Sequence, residues 1–433
     1  MAADTRKELR NLVIYSVFVR NHTDKGDFRS VIPDLPRIRA LGTDVVWLMP
    51  VHPIGEKARK GTLGSPYANK DYRSVNPEYG TLEDFKALVD AIHENGMKCI
   101  IDVVYNHTSP DSVLWNEHPE YFYKKKNGMP GNHVGDWSDI IDLDYRVPEL
   151  WDYQIETLCC WAKIVDGFRC DVASLVPVGF WKKARAAVEK VHPGCLWLAE
   201  SIHLSFNSYC RSRGMYTARD IELFEAFDME YDYDIREAFD SYLRGEAPLS
   251  SYTELLNFQE SCYPDNYIKM RCLENHDQPR IASFIKDPQA LVNWTAMLYF
   301  LKGSTLIYAG QECCEDHCPS LFDKDTVNWE TGKDITPLLK KLGRLKKELL
   351  SPEDCFFAKA DDKHDTAILE RWDDKRHLLG IFPLKASGSE IKTELPDGVY
   401  KDFLNSESVT VKDGILNCIG KALILCYNPL DNF

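Results

Sequence analysis

The sequence predicts an α/β protein: a (β/α)8 TIM barrel with a short insertion after its third strand, followed by an antiparallel β-sandwich. Three observations predict it. Eight short, β-rich apolar runs alternate with charged, amphipathic stretches. About forty residues rich in Trp, Tyr, His, Gly and Pro follow the third run before the next helical segment, and a loop of that length in a compact domain is usually functional. Beyond about residue 350 the pattern changes to short alternating segments separated by turn residues. The barrel is expected at 1–106 and 146–350, the insertion at 107–145 and the sandwich at 351–433.

In chain order the eight runs are LVIYSVFV, DVVWLMP, CIIDVVYNH, GFRCDV, LWLAES, LFEAFDM, YIKMRCLENHD and STLIYAG. The segments between them read as helices. TLEDFKALVDAIHENGMK, for example, starts at the capping-type Thr81, carries apolar residues at helical spacing and reaches a glycine near its end. VPELWDYQIETLCCWAKIV is expected to be the helix after the insertion. DTAILERW, RHLLGIF, GVYKDFL, SVTVKDGIL and KALILCY are the expected strands of the sandwich.

A chain of 433 residues exceeds one typical core, and 12% aromatic residues can fill a large one. The net charge of −15 excludes a basic footprint for nucleic acid or anionic membrane; a neutral ligand such as a sugar is compatible with it. MAADTRKELRNLVIYSVF has no apolar core behind a basic start, and no run is long enough to span a bilayer, so a cytoplasmic protein is expected. The 14 cysteines show no disulfide framework and are expected to be reduced. ECCEDHC brings Cys314, His317 and Cys318 near one another without a second ligand pair at zinc spacing, so no metal is expected there.

Chemistry in such a barrel sits at the C-terminal ends of the strands. Four clusters fall there: Asp102, Asn106 and His107; Arg169 and Asp171; Glu200; and His276 with Asp277. Residues two apart in a strand share a face, so Arg169 and Asp171 are aimed into one interior. Taken alone, they are equally well read as a structural salt bridge. Three acids from three strands, however, suit glycosidic cleavage, in which one carboxylate attacks the anomeric carbon and a protonated one assists the leaving oxygen. Arg169 favours an ionised Asp171. Glu200, approached by the apolar LWLA, is the better candidate for a raised pKa. A third carboxylate would steady the oxocarbenium-like charge, with His107 and His276 binding sugar hydroxyls.

DVVYNH, GFRCDVA, a strand ending in Glu200 and NHD, in that order, resemble the four motif regions of the α-amylase family of glycoside hydrolases. The similarity runs from about residue 12 to the C-terminus and includes LGTDVVWLMPVHPI, SPYANKDYRSVNPEYGTLEDFKALV, DLDY at 142–145 and STLIYAGQE. The resemblance implies Asp171 as nucleophile, Glu200 as general acid/base and Asp277 as transition-state stabiliser. It places Arg169, His107 and His276 around the attacked glucose, makes Tyr67 the stacking tyrosine, and gives Asp102, paired with Arg169, an organising role with Asn106. The insertion corresponds to the family's B domain. Structural calcium on Asn106 and Asp142 occurs in some members, but a hard cation needs six or more oxygens, and the reading here favours no required cofactor.

The sequence lacks the lysine–histidine pair that follows the nucleophile in many calcium-dependent members. Its DVA is closer to neopullulanase and cyclomaltodextrinase relatives, whose N-terminal module has no counterpart here. The expectation is a retaining hydrolase of α-1,4-linked maltooligosaccharides or dextrins. A 4-α-glucanotransferase, an exo-acting α-glucosidase and a non-catalytic carbohydrate-binding homologue are the alternatives.

Overall fold

The computed structural model describes residues 4–135 and 137–427. The ends of the expected barrel and sandwich at 1–3 and 428–433, and residue 136 of the insertion, lie outside the described residues. Eight parallel strands close into a barrel: β1 Val13–Val17, β2 Val45–Leu48, β3 Lys98–Val103, β4 Gly167–Cys170, β5 Leu196–Ala199, β6 Met229–Tyr231, β7 Lys269–Arg271 and β8 Ser304–Tyr308. Each pairs with its sequence neighbours, and β1 closes on β8 with Val13 opposite Thr305. Because helices cover the outside and side chains fill the inside, β1, β2, β4 and β5 are buried along their whole length. Gly167 opens β4 where a Cβ would meet the Leu196 carbonyl oxygen at 2.4 Å, so the tight strand packing needs glycine there.

The helix Leu82–Glu94 starts as its sequence dictates. Thr81 Oγ1 accepts the Asp84 N–H at 3.2 Å, the Asp84 carboxylate answers at the Thr81 N–H, and Phe85, Leu88, Val89 and Ile92 form the buried face. The helix Pro148–Trp161 follows the insertion. Within the insertion, His107–Thr108 pairs antiparallel with Ile141–Asp142, setting His107 opposite Asp142 at the barrel mouth.

The sixth strand departs from expectation. LFEAFDM, residues 223–229, is a short helix, Asp220–Leu223, and a turn, and the strand begins only at Met229. Leu223, Phe224, Ala226 and Phe227 are all buried, an i, i+1, i+3, i+4 pattern rather than an alternating one. The true strand is short, and its Glu230 points into the protein against Lys269 Nζ at 2.9 Å, which hides it from a search for apolar runs.

After the barrel come β9 Cys355–Asp361, β10 Thr366–Trp372, β11 His377–Pro383, β12 Gly388–Lys392, β13 Gly398–Lys401, β14 Ser408–Lys412, β15 Ile415–Ile419 and β16 Leu423–Tyr427. They form two antiparallel sheets, β9-β10-β11-β16 and β12-β15-β14-β13. Ile368, Ile381, Ile391, Val411, Leu416 and Leu425 form the core between them.

Candidate active site

The barrel twist and register bring the strand-end clusters into one cleft of about 460 Å³, lined among others by Tyr67, His107, Asp171, Glu200, His276 and Asp277. Arg169 lies beneath them. Across the β3–β4 pair it stands opposite Asp102, and along its own strand it shares a face with Asp171. Its Nη1 donates to Asp102 Oδ1 at 2.8 Å and to Asp171 Oδ1 at 2.8 Å, while Nη2 lies 2.9 Å from Glu200 Oε1. The rings of Trp47, Tyr231 and Tyr67 surround the guanidinium at 5.1, 5.5 and 5.6 Å. One fully buried cation thus organises three carboxylates. Arg169→Met would leave Asp102, itself 0% exposed, as a buried carboxylate without its partner. Removal of one partner of a buried pair costs about 3–5 kcal/mol, so the thermal unfolding midpoint of this variant is expected to fall by several degrees.

Burial dominates the proton affinities of the acids. It pushes Glu200 up to about 7, with Arg169 opposing and the negative charge of Asp171 adding to the rise. Asp171 is pushed up by the same cause, to about 6, with Arg169 resisting. Arg169 thus favours the ionised Asp171, as its charge predicts, but burial is the larger influence. Asp277 differs. Its place in the cleft disfavours the charge, but His276 and Arg169 outweigh this and hold its carboxyl below the ordinary range. His276 Nε2 lies 2.9 Å from Asp277 Oδ2 and 2.7 Å from the Tyr67 hydroxyl, and its ring stacks on Tyr67 at 5.3 Å. The Tyr67 hydroxyl also donates to Asp102 Oδ2 at 3.0 Å. His107 is buried, and burial lowers its pKa.

Backbone geometry supplies a contact that sequence reading did not find. Directly after Asp171, Val172 adopts φ 35° and ψ 46°, a left-handed conformation costly for a β-branched residue. That turn aims the Val172 N–H at Glu200 Oε2, 2.8 Å away, and fixes the carboxyl. Other walls of the cleft come from Trp137, His203, Phe206 and Tyr233. Trp137 packs against His107 at 5.7 Å and Phe206 at 6.1 Å, and His203 stacks on Tyr233 at 4.3 Å. The aromatic richness of the insertion was the available signal for Trp137; no motif marked the other three.

A model of the alpha-amylase catalytic domain matches residues 13–138 and 133–355, and one of the bacterial alpha-amylase C-terminal domain matches residues 357–425. The chain belongs to the alpha-amylase family. Among solved structures, an alpha-amylase from Lactobacillus plantarum is 47% identical with a TM-score of 0.94, covering 98% of this chain and 100% of that one. A maltogenic alpha-amylase, AmyB, from Thermotoga neapolitana is 33% identical with a TM-score of 0.86, covering 97% of this chain and 99% of that one. An alpha-1,4-glucan:maltose-1-phosphate maltosyltransferase from Rhodospirillum rubrum is 36% identical over 197 residues, 41% of this chain and 28% of that protein. The chain thus aligns with less than a third of that curated relative. The protein is an alpha-amylase family enzyme, in a family whose members here include both amylases and maltosyltransferases.

In this family enzyme one carboxylate oxygen of Asp142 is engaged by His133, and the Asn106 amide nitrogen faces the ring of His107. Asp142 Oδ2 accepts the His133 N–H at 2.7 Å and lies 2.6 Å from His133 Nδ1; the Asn106 amide lies 3.1 Å from His107 Nδ1. Asn106 also accepts the Leu143 N–H through its main-chain oxygen, which ties the insertion to the barrel. Asp142 Oδ1 is buried and accepts no hydrogen bond, a single unengaged oxygen where a hard cation such as calcium needs six or more. Among the described residues no group of three His, Cys, Asp or Glu is arranged to hold a metal, and His317 pairs instead with Asp325. Cys99, Cys170, Cys195, Cys210 and Cys272 are buried free thiols, and no helix among the described residues is long and apolar enough to cross a membrane.

Proposed function

We propose that the protein hydrolyses α-1,4-glucosidic bonds of maltooligosaccharides or dextrins with retention, through a covalent glucosyl-enzyme intermediate. The observation that carries this is the arrangement of Asp171 and Glu200 on the two Nη atoms of one guanidinium, with different proton affinities, in the cleft that Asp277 also lines. A shared guanidinium favours the short separation, about 5 Å, of a retaining pair. Asp171 attacks the anomeric carbon and the bond to the leaving oxygen breaks as Glu200 gives that oxygen its proton. Glu200 then takes a proton from water, which attacks the same carbon and releases Asp171. Asp277, held ionised by His276, faces the positive charge that develops on the ring, and Tyr67, His107 and His276 contact the glucose bound there. Asp102 orients Arg169 and does not react. No cofactor enters these steps, and buried free thiols such as Cys99, Cys170 and Cys272 suit a reducing, cytoplasmic compartment.

Transfer to another sugar is the second reading, favoured by the similarity to maltosyltransferases. It shares the intermediate and differs in what intercepts it. Incubation with maltoheptaose, with and without added glucose, separates the two. Hydrolysis gives reducing sugar as the α-anomer and little product longer than the substrate; transfer gives longer chains from the outset. Release of no sugar from any α-glucan would overturn both.

The proton affinities predict a narrow pH profile. Asp171 must be deprotonated, so kcat/KM rises as pH passes about 6; Glu200 must be protonated, so it falls as pH passes about 7. The maximum is expected between these values, with about tenfold loss per pH unit well outside them. A profile still rising above pH 7 would contradict the assignment of the acid.

A further inference from the structure

We propose that the helix Leu204–Ser212 carries an outer α-glucan-binding platform, with Phe206 and Tyr209 as its ring surface, which holds sugar units that extend beyond the catalytic cleft. The inference rests on the reading of the substrate as an α-glucan. It starts from an anomaly of packing. A surface helix normally turns its apolar stripe to the core, yet among the described residues of this helix only Cys210 is buried. Leu204 stays 57% exposed and Tyr209 43%. Polar contacts anchor the helix instead: the Asn207 side chain donates to the Ala218 carbonyl at 3.1 Å and accepts the Thr217 hydroxyl at 3.1 Å, and the Ser205 N–H donates to Glu237 Oε1 at 3.3 Å. The contacts that fasten the helix therefore leave the Tyr209 ring on the surface.

The exposed rings continue a wall of the catalytic cleft. Trp137 of the insertion and Phe206 both line that cleft, with ring centroids 6.1 Å apart. Phe206 and Tyr209, three residues apart and so neighbours on the helix surface, stand with centroids 6.3 Å apart and planes within 12° of parallel. Arg213 then places its guanidinium carbon 5.1 Å from the Tyr209 centroid, and it also lines a second cleft of about 450 Å³ with Tyr123, Tyr145 and Tyr216. Each step of the row Trp137, Phe206, Tyr209, Arg213 is within ordinary ring or cation–π distance, so the row joins the two clefts whatever the direction in which a substrate lies. Flat, partly exposed rings suit a pyranose, whose C–H face is apolar and whose rim carries hydroxyls: the rings cover that face while the guanidinium N–H groups donate to the rim. Continuity with the catalytic cleft makes the occupant the same chain that the cleft holds.

The test reads binding without turnover, by calorimetry on the full-length Asp171→Asn enzyme with maltotriose and with maltodecaose. Maltodecaose is expected to bind at least about tenfold more tightly, and Tyr209→Ala in the same background to remove about tenfold of that advantage, the scale of one ring contact, while Tyr209→Phe, which keeps the ring, retains it. Equal affinity for the two sugars before any change at Tyr209, or a Tyr209→Ala enzyme that keeps the full advantage, would overturn the platform while leaving the hydrolytic reading intact. Equal weakening of both sugars by Tyr209→Ala would mark a structural effect and overturn it as well. Concentration-dependent dimerisation abolished by Tyr209→Ala, with sugar binding unchanged, would give the face to a second copy of the chain and overturn the proposal. Length-dependent binding that Tyr209→Ala weakens, in an enzyme that releases no sugar from any α-glucan, would instead remove the reaction and support the platform.

Discussion

Asp171→Asn lowers kcat on maltoheptaose by about 10⁴-fold or more, the scale seen when a nucleophile in a cooperating set is removed. Binding of the same oligosaccharide, measured by calorimetry, is expected to stay within about tenfold of native, since uniform binding contacts survive. The physical basis is local. Asparagine keeps the size of the side chain and a carbonyl oxygen for Arg169 Nη1, and Arg169 keeps its pair with Asp102 at 2.8 Å. Only the negative charge and the capacity to attack are lost. That loss also removes a charge that raises Glu200, so the Glu200 carboxyl in the variant titrates lower than in the native enzyme. A variant retaining a tenth of native turnover would exclude Asp171 as nucleophile.

Glu200→Gln is expected to cost about 10²–10⁴-fold on maltoheptaose, the usual contribution of a positioned general acid. The side-chain oxygen still accepts the Val172 N–H, while the amide NH2 replaces the oxygen that faced Arg169 Nη2, so the variant loses that one contact. The loss on α-maltosyl fluoride is expected to be much smaller for the first step, because fluoride departs without a proton. Deglycosylation, which needs the same residue as base, then becomes slow. Azide, a nucleophile that needs no base, is expected to restore turnover and yield glycosyl azide. Equal losses on both substrates would show that Glu200 acts only on the geometry of the site.

Much of this was legible because a barrel converts strand order into proximity. Residues far apart in sequence, Asp171, Glu200 and Asp277, need only stand at strand ends to meet. The Arg169–Asp171 spacing carried its own meaning, since a strand places both on one face. The third partner of Arg169, Glu200, depended on the twist between β4 and β5 and was not legible from spacing. The sixth strand was displaced because its inward Glu230 is satisfied by Lys269, a long-range ion pair that local hydropathy does not register. Lys60 and Asp139 lie in separate loops, and no local pattern marks the ion pair that the fold makes of them at 2.9 Å. Val172 was likewise hidden, because nothing in its residue type announces a left-handed turn.

The most direct measurement is the intact mass of the Glu200→Gln enzyme mixed with α-maltosyl fluoride, followed by peptide mapping. A gain of one maltosyl group, held as an ester on Asp171 and absent from a variant that also carries Asp171→Asn, is the expected result. Fluoride release with no adduct, or an adduct on another side chain, would contradict a covalent intermediate on Asp171.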